Sequence, residues 1–300
     1  NGFLEIENRF DFNKNGLVVL KSNSFLVDQV IRVLFEVATT LAYPRGNPST
    51  AEKISLVAVG GYGREELAPY SDIDIMFLHP YKKTPYIEQV VEFLLYFLWD
   101  LGLKVGHSTR SINDCIRLSK NDLIIQTSLL DSRWLWGYQK PYLDFVKAFQ
   151  EVVVNGNGSR FVEAKLKERN QRHEDLGDVR YVLEPNIKDG KGGLRDLQTL
   201  FWITKHIYGT SNLAELAEKG VFLISLNRPE VLNAMNKDLI MGLLETMNEI
   251  NDDPKVRAVV ITGKGRGFCA GADLANGGWP NDENNSPGQA AAVNMEIGFN

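Results

Sequence analysis

The pattern of apolar and polar positions predicts three strands and two helices in the first third of this 300-residue chain. A run of β-branched and aliphatic residues over 54–59 ends in a glycine turn and predicts one strand. Polar and apolar residues alternate over 72–78, which predicts a second strand. A further strand is predicted over 104–109. Apolar residues at helical spacing predict helices over 25–42 and 86–101.

The middle of the chain is predicted to be helical. Apolar periodicity favours helices over 112–135 and 142–154, followed by a charged helix over 162–172. A polar, glycine-rich loop then leads into an apolar helix over 194–208. By contrast, residues 1–22 are expected to be irregular or to form a short strand.

The pattern restarts near Gly220. Residues 221–226 and 256–262 are predicted strands on either side of a helix over 236–250, an order typical of a parallel β-α-β unit. No internal repeat relates this part to what precedes it. We therefore predict three regions: a catalytic domain over 1–140, an associated helical region over 141–220, and a separate fragment over 221–300.

Composition excludes several classes of protein. The chain is 44% hydrophobic and 24% charged, with a net charge of −5, which predicts a soluble globular protein that binds neither nucleic acid nor membranes. Its most apolar stretch, 90–103, contains Glu92 and Asp100 and is too short to cross a bilayer. The two cysteines lack the spacing of a zinc site or disulfide framework. We expect a cytoplasmic location.

The chemistry is concentrated where a glycine turn precedes two aspartates. Gly60 and Gly61 open a turn whose backbone N–H groups can bind phosphate. Asp72 and Asp74, at i and i+2 of a strand, point to the same face about 6–7 Å apart. Two such carboxylates repel each other unless a cation lies between them, and Mg²⁺ takes carboxylates together with substrate phosphates. The pairing predicts metal-dependent nucleotidyl transfer.

Three segments resemble the uridylyltransferases of the PII nitrogen-signalling protein, within the polymerase-β-like nucleotidyltransferase superfamily. They are Val59–Asp74, Leu183–Gln198 and, more weakly, Val105–Arg110. The resemblance implies an α+β fold, a small mixed sheet with flanking helices, followed by a helical region. It also implies transfer of UMP from UTP to a tyrosine of PII, the acceptor partner.

The resemblance assigns roles to individual residues. Asp72 and Asp74 would be catalytic and would hold Mg²⁺. The nucleotide-binding residues would be Gly60, Gly61, Arg64 and Ser71. A chain that binds nucleotide or PII without turnover is the non-enzymatic alternative.

Two departures from that family leave questions open. Relatives usually have glycine where Glu65 stands, and its carboxylate either repels a triphosphate or faces solvent. Wider superfamily members often use a third carboxylate, for which Asp131, Glu184 and Asp196 are the candidates here.

Basic residues flank the glycine-rich loop that precedes the apolar helix. Lys188, Lys191 and Arg195 lie at a helix start, where they suit contact with a phosphate or a partner protein. A charged interdomain loop is an equally good interpretation.

The last part of the chain resembles the crotonase family of enoyl-CoA hydratases and isomerases. The resembling segments are Asn227–Glu230, Leu232–Met235 and Gly267–Leu274. The resemblance implies an α/β fragment of ββα type, with the amide of Ala272 in an oxyanion hole. It places Ala234 and Ala270 near a CoA thioester, the substrate if this part were functional.

This crotonase-like part is predicted to be incomplete. The family's second oxyanion segment and its catalytic glutamates come later than residue 300, so we expect no hydratase activity. The chain is thus expected to be a fusion of two truncated pieces.

Overall fold

The computed structural model describes residues 2–13, 15–177, 186–210, 215 and 220–273. The chain forms two compact units, Asn1–Tyr208 and Gly209–Asn300. In the described part, none of the helices combines the length and apolar character needed to cross a membrane.

A mixed four-stranded sheet forms the centre of the first unit. Its strands are β1 (Ser55–Ala58), β2 (Ile73–His79), β3 (Val105–Ser111) and β4 (Arg133–Gly137), in the order β3-β2-β1-β4. Strand β1 runs antiparallel to both neighbours, whereas β2 and β3 are parallel. The small mixed sheet inferred from the sequence is confirmed, and every residue of β1 and every residue of β2 except Asp74 is buried.

Helices surround this sheet. They are α1 (Gly2–Asn13), α2 (Gly16–Val37), α3 (Gly60–Gly63), α4 (Pro85–Asp100), α5 (Ile112–Asn121), α6 (Leu123–Leu130), α7 (Gln139–Phe149), α8 (Gly158–Asp175) and α9 (Leu194–Tyr208). Short π-helical turns continue α2 over Ala38–Ala42 and α7 over Gln150–Val154, and a 3₁₀ turn covers Thr50–Glu52. Side-chain caps fix several helix starts, because each supplies an acceptor for N–H groups that have no partner inside the helix.

Both faces of the sheet are covered by apolar side chains. Ile75 and Phe77 point into a cluster built with α2 and α4, whereas Met76 and Leu78 point into another built with α5 and α7. This alternation follows from the two-residue period of a strand. Full burial of a side chain such as Phe77 contributes about 1.5–3 kcal/mol. Asp74 shares the alternation of Met76 and Leu78, so the strand's core fixes where it points, whereas Asp72 lies immediately before β2.

Two predictions for the first unit are wrong. Residues 1–22 were expected to be irregular or to form a short strand, but residues 2–13 form α1 and residues 16–22 belong to α2. Helix α2 begins there because the Asn15 side chain accepts hydrogen bonds from Leu17 and Val18 N–H. The single helix expected over 112–135 is interrupted where Asp122 caps α6, and it then gives way to β4.

The second unit contains the expected parallel β-α-β arrangement. Strands β5 (Val221–Leu226) and β6 (Ala258–Gly263) pair in parallel on either side of α10 (Lys237–Asp252). A 3₁₀ turn, Pro229–Val231, follows β5. The described part of this unit therefore presents one two-stranded sheet with a crossover helix.

Candidate functional site

The glycine turn passes directly beside the Asp74 carboxylate. Val59 N–H donates to Asp74 O at 3.1 Å, which ties the end of β1 to the start of β2. Gly60 follows with a φ of +60°, and a Cβ built there would lie 3.6 Å from Asp74 Oδ2. Because side chains disfavour this left-handed conformation, glycine suits the position. The turn and the aspartate that the sequence paired are thus neighbours in space.

A second glycine accommodates the same carboxylate from the neighbouring strand. Gly106 on β3 pairs with Asp74 on β2, and a Cβ at Gly106 would clash with Asp74 Oδ1. Asp74 is partly buried, whereas Asp72, two residues before it, is exposed. Burial raises the pKa of Asp74, and the charge of Asp72 raises it further. A bound cation would relieve both penalties.

Two of the three candidates for a third carboxylate are already engaged by donors of the protein itself. Asp131 is 2% exposed and accepts hydrogen bonds from three donors, while Asp196 pairs with Arg172 and His173 and accepts from Gly192 N–H. Glu184 lies outside the described residues. Within the described ranges, no group of three or more His, Cys, Asp or Glu side chains could hold a metal ion. The aspartate pair therefore remains the metal-ligand candidate.

Sequence reasoning missed a hydroxyl beside the turn. Ser128 Oγ on α6 lies 3.9 Å from the position of a Cβ at Gly60. No spacing signal marks it, because α6 reaches the turn only through tertiary packing.

Arg64 lies over the glycine turn, and its orientation is set by two carboxylates. Its Nη2 is 3.8 Å from the position of a Cβ at Gly61. Its Nη1 donates to Asp131 Oδ2 at 2.6 Å, and its Nε donates to Glu66 Oε2 at 2.8 Å. Burial would lower the pKa of Arg64, but the two carboxylates, Asp131 foremost, raise it overall. Arg64 is therefore a fixed positive charge at the turn.

Glu65, the departure from the family pattern, lies near a different arginine. Its φ is +63°, a conformation that glycine adopts without strain. The carboxylate is 3.8 Å from Arg133 Nε, and the side chain is half exposed. Arg133 is also bound by Asp28, which accepts from the Tyr62 hydroxyl as well. The carboxylate of Glu65 is thus partly screened by a cation.

The remaining predicted residues of the first unit are more exposed. Ser71 is exposed immediately before Asp72, and its N–H donates to Ala68 O at 3.1 Å. Lys188 and Lys191 are exposed on the loop before α9. Arg195, on α9 itself, is half-buried with its guanidinium 5.9 Å from the centroid of the Trp202 ring. Arg195 is therefore directed towards the residues that hold Arg64, whereas the two lysines face outwards.

The second unit brings its own predicted segments together. Residues 232–235 and 270–273 lie side by side: Ala270 N–H donates to Leu232 O at 3.0 Å, and Met235 and Ala272 form a parallel bridge. Ala234 is buried. Ala234, Ala270 and Ala272 are thus near one another, while Leu274, the last residue of the resembling segment, lies outside the described residues.

A buried asparagine holds this arrangement. Asn233 Nδ2 donates to Lys264 O at 2.9 Å and to Gly267 O at 2.8 Å, and Asn233 Oδ1 accepts from Arg228 N–H. Arg228 also pairs with Asp273 at 2.9 Å. Side-chain hydrogen bonds therefore hold residues 264–273 against residues 228–235.

Known families match successive parts of the chain. The nucleotidyltransferase domain family matches residues 47–130, and the GlnD PII-uridylyltransferase family matches residues 160–226. The first unit is uridylyltransferase-like. The enoyl-CoA hydratase/isomerase family matches residues 216–293. The chain thus resembles two families, as the sequence indicated.

Individual proteins that are similar in sequence support the resemblance to uridylyltransferases. The bifunctional uridylyltransferase/uridylyl-removing enzyme of Rhodospirillum rubrum is 56% identical over 221 residues, which cover 73% of this chain and 24% of the relative. The enzyme of the same name from Azospirillum brasilense is 54% identical over 222 residues, which cover 74% of this chain and 24% of that relative. The chain therefore spans about a quarter of the length of these relatives. A solved toxin–antitoxin complex with AMP-PNP matches at 18% identity with a TM-score of 0.22, too low to bear on the fold.

Proposed function

We propose that the first unit binds UTP with Mg²⁺ and transfers UMP to a tyrosine hydroxyl of a PII signalling protein. One observation carries the proposal: the Asp74 carboxylate is fitted between Gly60 and Gly106, beside Asp72. The relatives' name, uridylyltransferase, supports the choice of UTP. The PII acceptor is supported by the family that matches residues 160–226.

The donor set fits a magnesium ion. Asp72 and Asp74 supply oxygen ligands of the kind that Mg²⁺ prefers. Burial, and then the charge of Asp72, raise the pKa of Asp74, and a bound cation would offset both. Mg²⁺ bound there supplies charge neutralisation for the triphosphate and the attacking oxygen. In the transfer, the tyrosine oxygen forms a bond to the α-phosphorus and pyrophosphate leaves. The tyrosine proton passes to solvent.

The protein's own groups position the triphosphate. Gly60 and Gly61 allow close approach of the backbone, whose first N–H groups have no acceptor within the turn. Arg64 adds a fixed positive charge, and Ser71 lies next to the aspartates. Positioning and charge neutralisation are what phosphoryl-type transfer chiefly requires.

The loop before α9 is proposed as the contact for a phosphate or for the acceptor protein. Lys188 and Lys191 are exposed there, and these two lysines, followed by Arg195 in the first turn of α9, suit an anionic partner. Loss of PII modification, with UTP binding retained, in Lys188→Ala plus Lys191→Ala would favour the acceptor over the phosphate.

A second candidate function belongs to the second unit. The pairing of residues 232–235 with 270–273 favours acyl-CoA binding, with the Ala272 amide as an oxyanion donor. A complete oxyanion hole and hydration need a second donor and catalytic carboxylates, which we assign to none of the described residues. We propose no turnover of crotonyl-CoA, and hydration above background by the chain would refute this.

Labelled UTP provides the main test. UTP labelled at the α-phosphate, with PII and Mg²⁺, is expected to label PII, and Asp72→Asn plus Asp74→Asn abolishes the labelling. Asp144→Asn, an exposed carboxylate paired with Lys140, is the matched control. Equal labelling by the other three nucleoside triphosphates would overturn the choice of UTP. Nucleotide binding without labelling would favour the non-catalytic alternative.

A further inference from the structure

We infer that helix α9 positions Arg64 over the glycine turn by way of Asp131, which makes Asp131 and Trp202 positioning residues of the nucleotide site. The inference rests on the proposed function in one respect, which is that the glycine turn binds a nucleotide. It assigns a task to the helical region that follows the catalytic domain in sequence.

Asp131 is the centre of the arrangement. It lies between α6 and β4 and is 2% exposed. Trp202 Nε1–H donates to its Oδ2 at 2.6 Å, and Lys205 Nζ donates to its Oδ1 at 3.1 Å. Both donors come from α9. A buried carboxylate needs such donors, because an unpaired buried charge is costly.

The same carboxylate holds the arginine of the turn. Arg64 Nη1 donates to Oδ2, the oxygen that also accepts from Trp202. The other partner of Arg64 is Glu66, whose side chain is 42% exposed. The buried contact is therefore the one that restricts Arg64, since an exposed ion pair contributes little.

Trp202 is itself fixed on its ring faces by cations. Lys165 Nζ from α8 lies 4.4 Å from the ring centroid, and the Arg195 guanidinium lies 5.9 Å away. Arg195 follows the glycine-rich loop, with its Nε 3.8 Å from Asp189 of that loop. The loop and the glycine turn, the two longest resembling segments of the first unit, are thus connected through Arg195, Trp202, Asp131 and Arg64.

Trp202→Phe provides the most selective test, because it removes the indole N–H donor while it keeps an aromatic ring near the Arg64 guanidinium, which lies 5.8 Å from the Trp202 ring centroid. The matched control is Glu66→Gln, which changes the exposed partner of the same arginine. The first readout uses the nucleotide-free chain: nuclear magnetic resonance of ¹⁵N-labelled arginine reports how fast the Arg64 guanidinium rotates. Trp202→Phe is expected to accelerate that rotation, and Glu66→Gln to change it less.

The second readout is UTP affinity, measured by calorimetry with Ca²⁺ to prevent turnover. Trp202→Phe is expected to weaken UTP binding by about tenfold, the scale of one hydrogen bond to a charged group. Asp131→Asn is expected to weaken it further, and Asp131→Glu to restore part of the loss. In steady-state transfer, the defect is expected in KM more than in kcat.

The outcomes separate this inference from the proposed function. Unchanged Arg64 rotation in Trp202→Phe would overturn the inference even if UMP transfer is observed. Faster rotation with weaker UTP binding but no labelling of PII would support it while refuting the transfer. If no nucleoside triphosphate binds, the proposed function fails, and the rotation measurement still decides whether α9 positions Arg64. A merely structural role predicts a lower melting temperature with unchanged UTP affinity, which also overturns the inference.

Discussion

The two units each place a glycine-containing turn after a strand, but different forces hold the turns. In the first unit, β2 is buried on both faces, and the turn at 60–63 lies against an aspartate that this core orients. In the second unit, the turn is held by Asn233 and Arg228, while Phe222 and Leu223 on β5 are 43% and 47% exposed. Apolar packing on both faces of a sheet thus fixes one site, and side-chain hydrogen bonds fix the other.

This difference has a chemical consequence. A carboxylate pair for a metal must be held with little freedom, and a fully covered sheet provides that. The backbone amide of Ala272 is aligned instead by hydrogen bonds between residues 270–273 and 232–235. The first unit is therefore expected to be sensitive to single-atom changes around Asp74, and the second to changes in its polar bonds.

The largest effect is expected from Asp74→Asn alone. Loss of one of two metal-binding carboxylates is expected to lower UMP transfer by about a thousandfold. Asp72→Asn is expected to lower UMP transfer less than Asp74→Asn, because Asp72 is exposed and lies just before β2. The variant is expected to melt no lower than the parent chain, since the substitution removes repulsion from Asp72. Full transfer activity in Asp74→Asn would refute the metal-site assignment and the comparison drawn from it.

The next largest effect is expected from Gly106→Ala. The added Cβ would displace Asp74 Oδ1, and misplacing a reacting group by about 1 Å can cost about a hundredfold in rate. Gly46→Ala is the matched control, because no atom lies within 4 Å of its Cβ position. Rates and melting temperatures of both variants provide the measurement. Equal rates in the two would show that packing around Asp74 does not set the site.

The sequence predicted those parts of the first unit whose signals are local. The turn at Gly60, the alternation of β2 and the spacing of α4 are all contained in short windows, and the structure has them. Strand β4 was missed because its residues, Arg133–Gly137, become a strand only by pairing with β1, which lies far away in sequence. Helix α1 was also missed. The start of α2 was missed because it depends on the side-chain cap of a single residue, Asn15.

The residues of the candidate site also divide into those with a local sequence signal and those that depend on distant partners. Gly60, Asp72 and Asp74 were paired from their spacing, and the structure brings the turn and Asp74 into proximity. Asp131 was considered only as a metal ligand, because nothing near it in sequence shows that Trp202 and Lys205 bind it from 71 and 74 residues away. Such a partnership is a property of tertiary packing.

Asn233→Ala sharpens the comparison from the side of the second unit. The substitution removes hydrogen bonds to Lys264 O, Gly267 O and Arg228 N–H from a fully buried residue whose φ is +56°. It is expected to cost about 1–3 kcal/mol of local stability. Amide hydrogen exchange in β5 and β6 should accelerate, while exchange in β1 and β2 stays unchanged. Asn248→Ala, on the exposed face of α10, is the control. Equal acceleration of exchange in β5 and β6 by this variant would show that the Asn233 hydrogen bonds do not hold the turn.

The smallest effect expected is a pH dependence of the first unit's stability. His206 is 3% exposed, stacks on Phe161 at 4.1 Å, and has its Nε2 3.3 Å from Gln126 Nε2. Burial lowers the pKa of His206 from its ordinary value of 6.5. Unfolding therefore takes up a proton at a pH between the folded and unfolded pKa values. The stability contributed by neutral His206 is complete above the unfolded pKa of about 6.5 and is lost as pH falls below it and through the lowered folded pKa.

Denaturant unfolding of the first unit between pH 5 and pH 8, about the range over which histidine titrates, measures this dependence. His206→Gln is expected to flatten the slope below pH ~6.5 without abolishing it, because burial also lowers the pKa of His79. His107→Gln, at an exposed position on β3, is the control. An unchanged slope in His206→Gln would mean that the histidine is hydrated in solution. The contact between α6 and α9 would then be looser than the long-range packing assigned here to the first unit.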